Sequence, residues 1–335
     1  MSTPDYLSDL AKQFAPVFAQ KIDHEWKAAD QLAPIDFAGD LGSVADNLKV
    51  FFDLHRDAEI ANPKVYYSAV ETDTHIFLIY AVYHVFDWWK HDTPGNLYDM
   101  IRDRYDEHAH DLEGALLVVR KQPRLLVDAL ITVSHVNFYL YTEPRRPVAG
   151  GRSRLVNGAN NLHVAKFNEN VDGNIWVDSG TGRVKLFIEA KGHGMKGTHS
   201  GWGGGDEVWY YQEKDIPGNA GPVNPAPDTD CKPYELEDMF TPGGLWDHRY
   251  HRGTFRQGAS GKWGFTAYSE LVKGTLGPSK ANPPWSWDDH NDQSPMGEMA
   301  TDPSRFITRY AHGWGPVSQQ YTHNEYLGIL SGDAV

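Results

Sequence analysis

The sequence predicts a mainly β protein: an antiparallel β-sandwich with a short N-terminal helical segment and a long, loop-rich C-terminal extension. Three observations lead there. Nine short runs rich in Val, Ile, Tyr and Phe fall between residues 65 and 211. Gly, Pro, Asn and Asp separate them, as turns require. No helical pattern is regularly interposed, which favours antiparallel pairing over an α/β sheet. A content of 32 Gly, 20 Pro and 13% aromatic residues fits the same picture of strands joined by many turns.

Along the chain, Tyr6, Leu7, Leu10, Phe14, Val17 and Phe18 recur at three- and four-residue intervals, so residues 5–20 read as an amphipathic helix or an irregular lead-in. Leu48, Phe51, Phe52 and Leu54 suggest a second short helical piece. The β pattern then takes over in Val65–Val70, His75–Phe86, Glu113–Val119, Leu125–Val133, Asn137–Tyr141, Leu162–Phe167, Asn174–Val177, Val184–Glu189 and Val208–Tyr211. Asp178-Ser179-Gly180-Thr181-Gly182 reads as a hairpin turn between two of these runs. Past residue 212 regular runs thin out, and a tail dominated by Trp, His, Asp and Gly offers few periodic faces from which to build its own core. The expected divisions are therefore an N-terminal segment (1–60), a metal-binding β core (61–212) and an extension that packs on it (213–335).

Lys+Arg 31 against Asp+Glu 45 leaves a formal net charge of −14, which argues against nucleic acid or an anionic membrane as the main partner and makes a cation the natural guest. A single cysteine, Cys231, excludes an intrachain disulfide. Met1-Ser2-Thr3-Pro4-Asp5 lacks the basic and apolar regions of a secretory signal. The expectation is a cytoplasmic protein, or a secreted one in its mature form with the signal removed. No apolar run approaches the ~18 residues of a spanning helix.

The chemistry concentrates in Glu107-His108-Ala109-His110-Asp111-Leu112-Glu113, at the head of the run Ala115–Val119. Side chains alternate along a strand, so Asp111 and Glu113 share a face, with His110 on the other if the strand starts early. The second half of a metal site is expected in the run that carries His84 and ends in Asp87. Three clustered carboxylates repel one another unless a cation or protons neutralise them. Oxygen-rich ligation with one imidazole suits Mg²⁺, Ca²⁺ or Mn²⁺, ahead of Zn²⁺, Fe or Cu.

Tyr80-Ala81-Val82-Tyr83, then Asp87, then His-x-His-Asp-x-Glu resembles the core of the necrosis- and ethylene-inducing-like proteins, whose heptapeptide reads Gly-His-Arg-His-Asp-Trp-Glu, and of the broader vacuolar protein sorting-associated protein 62 family. The resemblance covers about residues 65–200. It implies metal ligands at Asp87, His108, Asp111 and Glu113. The chain departs from the heptapeptide at Glu107, Ala109 and Leu112, and its lone Cys231 departs from the disulfide usual in secreted members. These changes leave the ligand types intact but put plant-membrane toxicity in doubt.

Glu189-Ala190-Lys191-Gly192-His193-Gly194 ends a run in a glycine-flanked histidine, a segment that also resembles the wider family. His193 is a candidate general base or further ligand, and Lys191 a charge partner for a substrate oxyanion. Gly201-Trp202-Gly203-Gly204-Gly205 lacks a following Lys-Ser/Thr and reads as a rim, not a phosphate loop. Trp88 and Trp89 are expected to wall the cation pocket, with His84 beside them. Trp285 and Trp287, next to Asp288, Asp289 and Asp292, are candidates for stacking on a sugar ring, or for pinning the tail.

Two functional classes follow. In one, the chain is a divalent-metal-dependent hydrolase or lyase acting on a polar, carbohydrate-like substrate, with His193, His110 and Glu113 as catalytic groups. In the other it is a toxin-like or glycan- or lipid-head-group-binding protein whose metal bridges the ligand. Oligomeric state is not legible from the sequence.

Overall fold

The computed structural model describes residues 3–24, 27–35, 59–87, 108–135, 137–143, 171–198, 206–212, 229–250, 281–289, 294–310 and 316–330. The runs Leu48–Leu54, Leu162–Phe167 and Gly201–Gly205 lie outside them, as do Trp88 and Trp89. Helix α1 (Asp5–Phe14) precedes strand β1 (Val17–Ile22). There follow β2 (Lys64–Thr72), β3 (His75–Asp87), β4 (His108–Arg120), β5 (Leu126–Ser134), β6 (Asn137–Thr142) and β7 (Val171–Asn174). Then come β8 (Lys185–Ile188), β9 (Met195–Lys196), β10 (Asp206–Gln212) and β11 (Asp230–Asp238), helices α2 (Glu298–Thr301) and α3 (Pro303–Tyr310), and β12 (Tyr321–His323).

The strands form one curled, mixed sheet, a half-barrel, rather than an antiparallel sandwich. Its order is β7-β6-β5-β4-β3-β2-β11-β10-β1-β8-β9, with β12 added beside β2. Four neighbouring pairs are parallel: β1 with β8, β10 with β11, β11 with β2, and β6 with β7. Apolar alternation reports which face a side chain takes and is blind to strand direction, so the sequence could not show these pairings. Strand β11 joins the two halves: Asp230–Tyr234 pair with β10, and Glu235–Asp238 with β2.

The helical reading of residues 5–20 is half right. Helix α1 stops at Phe14, because Pro16 disfavours helix at the residue before it, and Ala15 accordingly turns to φ −52, ψ 125. Arg183 caps the helix end, its Nη1 donating to the carbonyls of Lys12 (2.8 Å), Gln13 (2.8 Å) and Ala15 (2.9 Å).

Curling brings β9 against β4 and β5, so the sheet encloses its own concave face. Tyr80, Val82, Ala115, Leu117, Val119 and Leu130 point into that interior. The convex face of β2–β5 carries Ile79, Ala81, Leu112, Leu116 and Ile131, and the C-terminal segment covers it with Trp285, Trp287, Met299, Phe306 and Ile307. With both faces covered, β3 and β4 are near-continuous apolar runs rather than alternating ones.

After β12 the chain is fixed by Tyr326, whose hydroxyl donates to Ser68 Oγ (2.8 Å). Burial and the nearby Asp238 push the half-buried Glu325 carboxyl up to about 7, and its Oε1 has no hydrogen-bond partner. An acid with a raised folded-state pKa favours the fold while protonated. Its contribution is full below the unfolded value of about 4.3 and is lost as pH rises through about 7. Glu325→Gln is therefore expected to flatten that loss and to gain on the order of 1 kcal/mol above neutrality, a figure discounted for solvent screening. Denaturant midpoints at about pH 5 and pH 8 check this; an unchanged slope in the variant would contradict it.

Candidate cation site

The cluster is assembled at one end of the half-barrel from residues that the curl brings together. His84 on β3 sits opposite Asp111 on β4 in the antiparallel register. Both share the concave face with Glu113 and with Val82 and Ala115. From across the interior come Gln20 on β1, Asp30 in the loop after it, and His193 in the turn between β8 and β9. All six are buried. His84, Asp111 and His193 offer ligand atoms within 4.8 Å of one another and could hold a metal ion.

The two imidazoles play different parts. Their rings stack at 3.8 Å between centroids and 5° between planes. Ring-nitrogen lone pairs lie in the ring plane, so two stacked rings cannot both aim at one ion. Burial, then the charge of His193, hold His84 well below its usual range, so it is neutral. Its Nε2 donates to Gln20 Oε1 (2.9 Å). The Gln20 amide is itself oriented by donating to the carbonyls of Lys21 (2.9 Å) and Glu189 (3.1 Å). That leaves the His84 Nδ1 lone pair buried and without a hydrogen-bond partner.

His193 is instead an imidazolium. Burial opposes its charge, but hydrogen bonds to Asp111 and Asp30 outweigh that and push it up to about 10. Nδ1 donates to Asp111 Oδ2 (3.0 Å) and Nε2 to Asp30 Oδ1 (3.2 Å). The turn that delivers the ring is tight, with Lys191 at φ 72 and His193 at φ 53. A Cβ on Gly192 would lie 2.5 Å from His135 Cε1, and one on Gly194 would collide with Ser134 Oγ. Glycine permits that close approach at both positions, a Cβ on Gly192 meeting only the half-exposed His135 ring.

Glu113 is the most strained member electrostatically. Burial first, then Asp111, with lesser shares from Asp87 and Glu189, raise its carboxyl well above the usual range. Oε1 accepts from the His135 backbone N–H (2.9 Å), while Oε2 is buried without a partner. His135 is 47% exposed at its side chain and hydrogen-bonds Glu189 Oε1 through Nε2 (2.6 Å).

Of the residues expected from sequence, the structure thus brings together His84, Asp111 and His193, with Glu113 two residues along β4 on the same face, where it feels the Asp111 charge. Asp87 ends β3 opposite His108 in register, and its charge is felt at Glu113. The His108 side chain and Trp88 and Trp89 lie outside the described residues. His110 does not join the cluster: at φ 63 it falls on the convex face, where Nδ1 hydrogen-bonds Tyr83 Oη at 2.6 Å. Lys191 reaches Asp23 (3.6 Å) and offers its backbone N–H to Asp30 Oδ1 (2.8 Å). Trp285 and Trp287 are core residues on the convex face, pinning the tail rather than facing a ligand, because Trp287 Nε1 is spent on the Leu112 carbonyl (3.1 Å).

Sequence reasoning missed Gln20, Asp30, His135 and Glu189. The only signal for Gln20 and Asp30 is a polar residue inside an apolar stretch, Phe18-Ala19-Gln20 and Ala28-Ala29-Asp30. A cavity of about 550 Å³ between α1, the start of β5 and the 177–184 hairpin, walled by Phe14, Val127, Ile175 and Val184, shares no residue with the cluster.

No protein-family model and no curated protein sequence matches the chain. Solved structures do match. The chain is similar to necrosis- and ethylene-inducing proteins. Necrosis and ethylene inducing protein 2 from the causal agent of cocoa's witches' broom disease is 13% identical, covering 61% of this chain and 73% of that one, at a TM-score of 0.29. NLPPya in complex with glucosamine is 12% identical, covering 92% and 93%, at 0.33. The non-toxic HaNLP3 protein is 13% identical, covering 60% and 74%, at 0.28. These proteins belong to the family that the His108–Glu113 motif resembles.

Among the described residues, no helix is long and apolar enough to cross a membrane.

Proposed function

We propose that the chain is a cation-dependent binding protein for a hydroxyl-rich ligand, a glycan or a polar head group, with the ion held by His84 Nδ1, Asp111 and Glu113. The observation that carries this reading is the pair of buried ligand atoms without partners, His84 Nδ1 and Glu113 Oε2, on the same face as Asp111. Buried polar atoms are nearly always satisfied, and an unsatisfied pair beside a carboxylate calls for a missing guest. The donor chemistry fits a divalent ion: one neutral imidazole whose other nitrogen is fixed by a carbonyl, as metal-bound histidines usually are, plus two carboxylates. One nitrogen with several oxygens suits Mn²⁺, with Mg²⁺ and Ca²⁺ behind it.

Such an ion would supply a positive centre for ligand oxygens. The chain's own residues do the rest. Glu113 and Asp111 neutralise the charge, Gln20 fixes the His84 tautomer, and His135 with Glu189 presents a polar rim. Binding is favoured over catalysis because the described imidazoles nearest the cluster are already committed. His84 bonds Gln20, His193 bonds two aspartates, and His110 lies on the other face.

The test is calorimetric titration of Mn²⁺, followed by glucosamine and longer glycans, with and without chelator. Sugar binding that appears only with the ion, and is lost in Glu113→Gln, is the expected result. Equal binding in chelator would overturn the reading, and turnover of a glycoside would favour the hydrolase or lyase instead.

A further inference from the structure

We infer that Asp30 is a positioning residue for the cation site, acting on Asp111 through the His193 ring; this rests on the cation reading above. Asp30 lies 81 residues from Asp111 in sequence, in a loop that neither pattern nor motif marks. Yet the structure makes one line of hydrogen bonds from it: Asp30 Oδ1 to His193 Nε2 (3.2 Å), then His193 Nδ1 to Asp111 Oδ2 (3.0 Å). Every member of the line is almost wholly buried, with Asp30 and His193 at 0% exposure and Asp111 at 4%.

The carboxylate at the far end is itself held. Asp30 Oδ2 accepts from the Asp23 backbone N–H (2.7 Å), and Oδ1 also accepts from that of Lys191 (2.8 Å). The loop after β1 and the turn before β9 are thus clamped to one side chain, and the ring of His193 is fixed at both nitrogens. A ring held at both nitrogens is not free to turn about its bond to Cβ. The Asp111 oxygen it holds is therefore aimed, and the rest of that carboxylate is presented in one orientation. Stacking on His84, the neighbouring ligand, locks the same ring from its face. Outer contacts of this kind typically change metal affinity 10- to 100-fold when removed.

A bland alternative is that Asp30 only staples its loop through the two backbone N–H groups. The two roles separate in a double-mutant cycle on the full chain, read by calorimetric titration of Mn²⁺ alone. Asp30→Asn and His193→Gln should each weaken Mn²⁺ binding about 10-fold or more. Together they should be no weaker than His193→Gln by itself, since Asp30 acts only through the ring. Additive losses, or an unchanged affinity in Asp30→Asn, would overturn the inference while leaving the cation site standing. No Mn²⁺ binding by the parent protein would overturn both.

Should either variant fail to fold, the intact protein decides by ¹⁵N resonances of its histidine rings. Mn²⁺ is replaced there by the diamagnetic Mg²⁺, present in excess. Both His193 nitrogens should shift on adding the ion, while those of His110, on the opposite face, should not. An unmoved His193 would contradict the inference.

Discussion

Trp287→Ala is expected to cost about 3–5 kcal/mol, the usual range for removing a buried aromatic. Trp287 is wholly buried, it donates Nε1–H to the Leu112 carbonyl at 3.1 Å, and its ring lies over Gly114. A Cβ at that glycine would come within 2.5 Å of Trp287 Cη2 and collide with the Tyr80 carbonyl, so the indole occupies the space that a side chain on β4 would need. Trp285, next to it, meets Trp246 edge-on at 5.0 Å. Removing Trp287 thus opens a cavity and orphans a carbonyl in the middle of the strand that carries Asp111 and Glu113. Denaturant midpoints of Trp287→Ala and Trp287→Phe check this. The phenylalanine variant should recover most of the loss, keeping the ring but not the hydrogen bond. A loss below about 1 kcal/mol in the alanine variant would show that other contacts hold the tail.

That indole also marks what sequence reading left open and why. Trp285 and Trp287 stand among aspartates, and composition cannot distinguish aromatics that stack on a sugar from aromatics that anchor a tail. Burial decides it, and the burial of Trp287 depends on Gly114, 173 residues before it. The strands of β2 to β6 were legible because β-branched and aromatic runs there are long and bounded by turns. Strand β11 was not: Asp230-Cys231-Lys232-Pro233-Tyr234-Glu235-Leu236 is charged and contains a proline. Its two ends pair with different neighbours, so each half is spared a full ladder on one side. At the site, Asp111, Glu113, His84 and His193 were readable from charge spacing and glycine flanks. Asp30 and Gln20 were not, because their role arises only once the sheet curls and lays β1 over β3.

Asp111→Ala should be the most damaging change within the cluster. Taking one partner from a buried ion pair typically costs about 3–5 kcal/mol, since the other charge is left uncompensated. Here the orphan is the His193 imidazolium, wholly buried and left with Asp30 alone. Stability should recover in part when His193 is also replaced by an apolar residue of similar volume, Asp111→Ala with His193→Leu, because the stranded charge is gone. Thermal and denaturant unfolding of the parent and the two variants provide the comparison. If the single variant is no less stable than the parent, the Asp111–His193 bond does not hold the turn to the sheet. Mn²⁺ should stabilise neither variant, whereas an ion that binds only the folded parent raises its melting temperature.

The most direct measurement is anomalous scattering at the manganese edge from crystals grown with Mn²⁺. The account predicts one strong peak within coordination distance of His84 Nδ1, Asp111 and Glu113, with His193 still bonded to Asp111 and Asp30. A peak bound by both stacked imidazoles, or manganese found only at surface carboxylates, would contradict it.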